Sequence, residues 1–531
     1  MEIRENSNAK TTRSQWIQFV AVVFGAFVAI EAMAFQAPVI AVISTHFEVP
    51  AHLAGIMILS FYIASASLYP ITGRFADQYG RKRVLLIGLV IFTISEFAAA
   101  VSPTFSFLLV CKVFQGVGVA AIFPVVIAYI GVLFHPNQRG MASGLFNSIQ
   151  AVAAMLGAGL AGFLVSIYGW PIIYWVSGAL ALAGFFVVLF FVKESKGVVQ
   201  GSFDYLGVVL VFITTGCLLS VSTLVGQFGI SSPYTLGALF MGFLSAFLLW
   251  KTGNKKPNPI MEWSLLKKRT FALVGLIYLL YVAAMQLLIF SMSFFLNLRP
   301  NGDVTEAGLF FLFNSAAAAI GGLIVGRLAD KVNPKKLLIC TFMIPTASLF
   351  LISRVESGTS INNILMLAAF FGIGSAVSIL FKYALNVIPA EKYGAGSAIL
   401  SFIRDFGAPL GSVTGIVLFT SFSESSKQAS LASQASAAGV NPDLMGAVQQ
   451  AGSSGGQIID SALANELQML GIQFEDLMAT ALGEAATSAI QNMSFVVAGI
   501  FIVLIILSSL VPQAKSSKQP AVIDVSQEEL A

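Results

Sequence analysis

Apolar runs of about twenty residues recur along the whole chain, which is the length that a helix needs to cross a membrane. Charged residues make up only 10% of the 531 residues, whereas an average soluble domain carries about 25%. So few charges cannot cover the surface of a soluble protein of this size. The alternating pattern of outer-membrane barrel strands is absent from the sequence. We therefore predict an all-α polytopic membrane protein.

The apolar runs predict about fourteen spanning helices. Their limits are 16–44, 51–72, 84–101, 105–134, 141–166, 171–192, 206–226, 234–250, 271–297, 306–326, 336–353, 361–388, 394–422 and 489–511. Basic residues cluster in every second intervening segment, and the opposite segments carry almost only Arg299, Arg354 and Lys427. This alternation needs an even number of spans, and the positive-inside rule then predicts that both termini are cytoplasmic.

A basic hairpin occurs twice. Gly73-Arg-Phe-Ala-Asp-Gln-Tyr-Gly-Arg-Lys-Arg83 has an echo in Gly326-Arg-Leu-Ala-Asp-Lys-Val-Asn-Pro-Lys-Lys336, at an offset of 326 − 73 = 253. Four further residues repeat at an offset of 254: Gly140, Ser143, Ile149 and Gly157 match Gly394, Ser397, Ile403 and Gly411. Two related halves are typical of membrane transporters.

These repeats predict the following division of the chain. It comprises a cytoplasmic N-terminus 1–15, a six-helix half 16–196, two inserted helices 206–250, a second six-helix half 271–511 and a cytoplasmic tail 512–531. The second half contains an acidic loop, 423–488, which parity places outside the cytoplasm. A short helix is predicted in that loop around 458–470. The loop is interpreted either as a tolerated acidic insertion or as a functional lid.

The hairpin resembles the signature between helices 2 and 3 of the major facilitator superfamily, and the resemblance covers nearly the whole chain. With fourteen spans it narrows to the 14-helix drug:proton antiporters. Gln115-Gly116-Val117-Gly118 resembles that family's helix 4 motif, with Lys112 where the family has Arg. The resemblance implies that the hairpin latches the two halves together on the cytoplasmic side. The expected latch residues are Gly73, Arg74, Asp77, Gly80, Arg81 and Asp330.

Two positions depart from the exporter pattern. The helix 5 motif reads Gly157-Ala158-Gly159-Leu160-Ala161-Gly162, so that its proline is missing. Helix 1 carries Glu31 where the family usually has Asp, with Pro38 closer than expected. These departures affect the assignment to drug export more than they affect the fold.

Charges within the predicted spans indicate where the chemistry lies. An isolated charge at the centre of a bilayer costs about 2.5–3.5 kcal/mol even on insertion scales, so such a charge usually faces a cavity or a partner. At about 1.5 Å per residue, Glu31, Glu96 and Lys112 share one layer of a core about 30 Å thick. We predict that Glu31 accepts the transported proton, that Lys112 is its partner, and that Glu96 is a third candidate or a structural pair.

The second half carries Arg404 and Asp405 within a span. Neighbouring residues on a helix point about 100° apart, so these two side chains are not expected to face each other. Arg404 is expected to meet a carbonyl or a carboxylate between the halves. Polar cavity candidates are Gln36, Gln115, Gln286, Asn314 and Arg404, with interhelical hydrogen bonds as the alternative role.

The leading hypothesis is a secondary active transporter that exports small amphipathic molecules by proton antiport. The alternative is symport or facilitated uptake on the same fold, and a receptor or scaffold is a third class. No Walker motif, disulfide framework or metal cluster is recognisable, which predicts a protein without enzymatic activity, cofactor or metal. Expected partners are a small-molecule substrate, protons and the lipid bilayer. A periplasmic adaptor is also compatible with the sequence, whereas nucleic acid is not an expected partner. The predicted location is a bacterial inner membrane.

Overall fold

The computed structural model describes residues 12–134, 136–195, 204–256, 261, 263–298, 304–328, 332–354, 360–387, 393–453, 460–470 and 473–512. All regular elements within these ranges are helices. They are α1 Arg13–Ala34, α2 Gln36–His46, α3 Ala51–Tyr79, α4 Arg81–Ala100, α5 Phe105–Leu133, α6 Pro136–Tyr168, α7 Pro171–Phe191, α8 Tyr205–Phe228, α9 Pro233–Gly253, α10 Trp263–Leu266, α11 Arg269–Leu298, α12 Val304–Leu328, α13 Pro334–Ile352, α14 Ser360–Val387, α15 Tyr393–Ala437, α16 Met445–Ser453, α17 Ser461–Leu470 and α18 Phe474–Leu510, with a 3₁₀ turn at Pro442–Leu444.

In the described part of the chain, ten helices are long and apolar enough to cross a membrane, and four more contain shorter apolar stretches. Together they coincide with the fourteen predicted spans, which confirms the predicted fold class. The first predicted span is formed by two helices, α1 and α2, that meet at Phe35. Pro38 explains this break, because a proline ring clashes with the carbonyl group four residues earlier, at Ala34.

Prolines and polar caps set several helix starts. Pro171, Pro233 and Pro334 occupy the first turns of α7, α9 and α13, where an absent backbone N–H costs nothing. The Thr104 hydroxyl accepts a hydrogen bond from the backbone N–H of Phe107 at 3.2 Å and caps α5.

Hydrogen bonds between helix ends define one face of the bundle, here called the N-terminal face. The backbone N–H of Lys193, after α7, donates to Gln18 Oε1 in α1 at 3.1 Å, and that of Arg81 donates to the Ser195 carbonyl at 2.8 Å. The Tyr383 hydroxyl of α14 donates to the Pro512 carbonyl at 2.9 Å. The opposite face is called the distal face.

Repeated glycines make equivalent contacts in the two halves of the bundle. A Cβ on Gly157 of α6 would lie 2.5 Å from the Glu31 carbonyl oxygen of α1, and a Cβ on Gly411 of α15 would collide with the Ala283 carbonyl of α11. These two glycines are related by the sequence offset of 254. Each therefore lets the first helix of its half approach the fifth closely.

The two halves meet near the distal face. Gly162 of α6 packs directly on Gly308 of α12, with no room for a side chain at either position. The Ser293 hydroxyl of α11 donates to the Ala37 carbonyl of α2, and the Asn297 side chain donates to the Pro38 carbonyl at 3.2 Å. Backbone carbonyls in the first turn of α2 thus accept hydrogen bonds from the second half.

The inserted pair α8–α9 packs along one seam between the halves. Leu219 of α8 is buried between Leu59 of α3 and Val413 of α15. At the base of the pair, Lys256 forms an ion pair with Asp204, whose Oδ1 also caps α8 by accepting from the Gly207 backbone N–H at 2.8 Å. The insertion is therefore closed on itself and covers the α3–α15 contact.

The segment predicted as a long distal loop is mostly helical. α15 and α18 continue well beyond their predicted spans, and α15 alone is 45 residues long, about 68 Å at 1.5 Å per residue. Together with α16 and α17 they enclose a separate core, which includes Leu431, Val448 and Leu463. Helix α17 confirms the short helix predicted in this segment. Ser426 pairs with Ser488, and Ser430 with Glu484, so that side-chain hydrogen bonds join the extended parts of α15 and α18.

Candidate functional site

Glu31 lies half-buried on α1, one turn before the break at Phe35. Its Oε2 accepts a hydrogen bond from the fully buried Ser177 hydroxyl of α7 at 2.8 Å. Many buried serines and threonines in the described helices bond to a carbonyl of their own helix, as Ser412 does to Ala408 at 2.8 Å. Ser177 instead directs its proton to another helix, which fixes the orientation of the Glu31 carboxyl group.

Lys112 is fully buried on α5, enclosed by aromatic rings. Its Nζ lies 4.8 Å from the ring centroid of Tyr174 and 5.4 Å from that of Phe35. A cation over aromatic faces at this distance is attracted by the ring quadrupole, by about 2 kcal/mol or more when desolvated. Within the described part of the chain Nζ makes no hydrogen bond. The rings thus supply part of the stabilisation that water would provide.

Glu96 is fully buried on α4, and its charge interacts with those of Lys112 and Glu31. Neither carboxylate oxygen has a hydrogen-bond partner among the described residues. The structure therefore places the three predicted proton-coupling residues close enough for their charges to interact, and Glu31 is also held by Ser177. We call Glu31, Glu96, Lys112, Tyr174 and Ser177 the buried charge cluster.

The polar cavity candidates are distributed over both halves. Gln36 and Gln115 are buried in the first half, and Gln115 Nε2 makes no hydrogen bond within the described residues. In the second half Gln286 is half-buried. Asn314 donates to the Phe310 carbonyl at 2.7 Å and leaves its own Oδ1 without a hydrogen bond in the described structure. Gln115 and Asn314 thus each retain an unused hydrogen-bonding group within the described structure.

Arg404 and Asp405 of α15 form an ion pair, with Nε 2.6 Å from Oδ1. The expectation that they do not face each other is wrong, because the flexible arginine stem folds back along the helix to reach its neighbour. The Arg404 guanidinium also lies 5.3 Å from the Phe123 ring of α5. Tyr69 of α3 interacts electrostatically with both charges. The pair thus contacts the first half, and its arginine is already neutralised.

The basic hairpin is anchored to the segment that follows α7. Gly80 adopts φ +117°, a conformation that favours glycine, and separates α3 from α4. Glu194 accepts hydrogen bonds from the backbone N–H groups of Lys82 and Arg83, at 2.9 and 3.2 Å. A carboxylate at this position satisfies free donors and favours the helix dipole of α4.

The predicted latch is described only in part. Arg81 Nη1 donates to Ser195 Oγ at 3.1 Å. Gly73 lies beside Pro124 of α5, since a Cβ built on Gly73 would be 3.7 Å from the Pro124 Cβ. The side chains of Arg74 and Asp77, and all of Asp330, lie outside the described residues. The latch remains a prediction.

Sequence reasoning missed Ser177, Tyr174 and Glu194. Nothing distinguishes Ser177 and Tyr174 from other polar residues in apolar helices, since their roles arise only when α7 packs against α1 and α5. Glu194 does carry a signal, because it is an acidic residue between Lys193 and Lys196 in a segment that is otherwise basic.

Buried charges in a bundle of long apolar helices with a repeated sequence pattern are typical of membrane transporters. The family model of the Major Facilitator Superfamily matches residues 22–412. The chain belongs to this superfamily, which confirms the resemblance inferred from its motifs.

Several curated relatives are similar over about two thirds of the chain. Multidrug resistance protein 3 of Bacillus subtilis is 25% identical over 66% of this chain and 69% of its own length. Multidrug resistance protein Stp of Mycobacterium tuberculosis is 27% identical over 68% of both chains. Lincomycin resistance protein LmrB of Listeria monocytogenes is 26% identical over 67% of this chain and 74% of its own.

Solved structures share the fold at low sequence identity. An inward-facing bacterial homologue of the human lysosomal transporter Spinster superposes with a TM-score of 0.63 at 15% identity, and covers 94% of this chain and 98% of that one. A D-xylose–proton symporter superposes with a TM-score of 0.57 at 13% identity over 94% and 98% of the two chains. These likenesses establish the fold alone.

Proposed function

We propose that this chain is a secondary active transporter that exports small amphipathic, drug-like or metabolite-like molecules by proton antiport with alternating access. The carrying observation is the buried charge cluster, in which two carboxylates and an amine lie together inside the first half. Charges at this depth are costly to maintain unless they are used. Relatives named for multidrug and lincomycin resistance support drug-like substrates.

In this proposal Glu31 accepts the proton, and Lys112 and Glu96 balance its charge. When Glu31 is ionised, the Ser177 hydroxyl donates to it. When Glu31 is protonated, the cluster gains one positive charge relative to the ionised form, and the change in local electrostatics biases the packing of α1 against α7. The hairpin residues Arg74, Asp77, Arg81 and Asp330 act as the latch between states.

We further propose the division into halves 16–196 and 271–511 with the inserted helices 206–250 between them, residence in a bacterial inner membrane, and cytoplasmic termini. The basic residues on the N-terminal face support this orientation. The acidic helical segment 423–488 then projects from the distal side, where a periplasmic adaptor could contact it.

The deciding experiment is transport in proteoliposomes with an imposed pH gradient and three classes of probe: a cationic dye such as ethidium, an anionic chelate and a sugar. Accumulation of a probe against its own gradient, coupled to proton flux in the opposite direction, would support antiport. Movement of probe and proton in the same direction would replace export by symport. The superposition on a xylose–proton symporter shows that the fold does not decide this direction.

A further inference from the structure

We propose that Ser177 and Tyr174, one turn apart on α7, are positioning residues that hold Glu31 and the Lys112–Glu96 pair together as one proton-exchange unit. This inference rests on the proposed proton coupling. It assigns a role to α7, which carries no charged side chain between Pro171 and Phe191.

The first link is the hydrogen bond between α7 and α1. Ser177 is fully buried and its hydroxyl donates to Glu31 Oε2 at 2.8 Å. A hydroxyl has one proton to donate and two lone pairs that accept. The same group can therefore donate to an ionised Glu31 and accept from a protonated one. An alanine can do neither, so the carboxyl group would lose its anchor in both states.

The second link lies one turn earlier on the same helix. Tyr174 is fully buried and its ring lies 4.8 Å from Lys112 Nζ. The ring also meets Phe35 edge-on at 5.3 Å, and Phe35 lies one turn after Glu31 on α1. The Tyr174 hydroxyl interacts electrostatically with Glu96 and makes no hydrogen bond in the described part of the chain.

The spacing of the two residues makes them a unit. Residues three apart on a helix point to the same side, at neighbouring heights. One rigid turn of α7 thus contacts Glu31 on α1 and Lys112 on α5, and lies within electrostatic range of Glu96 on α4. A change in the charge of Glu31 alters the Ser177 hydrogen bond, and any resulting shift of α7 is carried to the ring that covers Lys112.

The test measures the carboxyl groups directly by infrared difference spectroscopy of the purified full-length protein in lipid, titrated with pH. Glu31→Gln is expected to remove one protonated-carboxyl C=O band, which assigns that band. Ser177→Ala is expected to move this band to higher wavenumber, because the carboxyl loses a hydrogen bond. Ser177→Thr is expected to restore it. Ser412→Ala, which removes an equally buried hydroxyl bonded within its own helix, is the control and is expected to leave the band in place.

The aromatic arm compares Tyr174→Phe with Tyr174→Leu in proteoliposomes loaded with ethidium. Phenylalanine keeps the ring over Lys112 and should retain gradient-driven accumulation. Leucine removes the ring and should lower accumulation several-fold while exchange of ethidium without a gradient continues. The role of the ring would be overturned if Tyr174→Leu lost accumulation and gradient-free exchange of ethidium equally. It would also be overturned if Tyr174→Phe and Tyr174→Leu accumulated ethidium equally.

The two proposals can fail separately. A Glu31 band that shifts in Ser177→Ala supports the α7 arrangement even if no probe is transported. A Glu31 band that stays in place in Ser177→Ala overturns it even if proton antiport is demonstrated. Absence of any band sensitive to Glu31→Gln also overturns it, since Glu31 would then not titrate.

Discussion

At the residue scale, the three charged residues of the buried charge cluster differ in how far they are buried. Glu31 is half-buried and oriented by Ser177, whereas Glu96 and Lys112 are completely enclosed. The proposed proton exchange needs access, and Glu31 is the one of these three residues that is not fully buried. The enclosed pair is better suited to respond to a change in charge than to initiate one.

Glu31→Gln is expected to abolish uphill transport driven by a pH gradient, because glutamine mimics the protonated state permanently. Exchange of bound substrate should persist, since the cavity amides are unchanged. Lys112→Arg should be milder than Lys112→Ala, because it keeps a cation over the Tyr174 and Phe35 rings. Both assays use proteoliposomes with and without a gradient. Full gradient-driven transport by Glu31→Gln would move the coupling site to Glu96 or Asp405.

At the scale of elements, close helix approach depends on a few glycines. Gly157 has no room for a Cβ because the Glu31 backbone of α1 is in contact with it. The departure from the family's helix 5 motif removed a proline and kept this glycine. In this chain the glycines of the motif thus allow α6 to pack closely against α1 and α12.

Gly157→Ala is expected to destabilise the purified protein by about 1–3 kcal/mol, since overpacking forces the helices apart. Thermal unfolding in detergent measures the effect. Gly499→Ala on α18 is the matched control, because a Cβ there meets nothing within 4 Å and alanine favours helix. Equal melting temperatures for the two variants would contradict the tight α1–α6 contact.

A second prediction at this scale concerns the distal helical segment. Backbone amides of 423–437 and 474–488 are expected to exchange with deuterium slowly, because these residues form continuous helix over a buried core. Leu463→Asp should accelerate exchange throughout the segment, since it places a charge in that core. Ala464→Asp, at an exposed neighbouring position, should not. Rapid exchange in the unmodified protein would favour a loop instead.

At the scale of the whole molecule, topology and alternating access become testable. In a variant lacking its three cysteines, Met469→Cys and Arg83→Cys introduce thiols on opposite faces. Met469 is 79% exposed as a whole residue, and the side chain of Arg83 is 70% exposed. A membrane-impermeant maleimide added to intact cells should label residue 469 alone. Labelling of residue 83 alone would invert the orientation, and labelling of both would contradict the span count.

Asp77→Asn is expected to slow turnover without weakening substrate binding, because the latch biases the equilibrium between conformations rather than the cavity. Binding is measured by equilibrium dialysis and turnover in proteoliposomes. Thr104→Ala, which removes the hydroxyl cap of α5 outside both copies of the hairpin, controls for general loss of stability. Unchanged turnover in folded Asp77→Asn would leave the hairpin's charges with a topological role only.

The sequence by itself determined the fold class and the superfamily, and it predicted about fourteen spans. These depend on apolar length, on charge alternation and on repeats, all of which are local or periodic properties that the bilayer enforces on any chain. It also singled out Glu31, Glu96 and Lys112 as candidate site residues, because a charged residue within an apolar span is conspicuous in the sequence.

Tertiary structure alone decided which groups meet. The Ser177–Glu31 hydrogen bond, the aromatic cover of Lys112 and the Glu194 cap of α4 join residues that are distant in the chain. Arg404 and Asp405 pair although helical geometry points them apart, since a long side chain can turn back. The polar residues 423–437 carry no apolar signal for a span, yet pairing of α15 with α18 makes them helical. Such contacts depend on how helices pack, and packing is absent from a one-dimensional pattern.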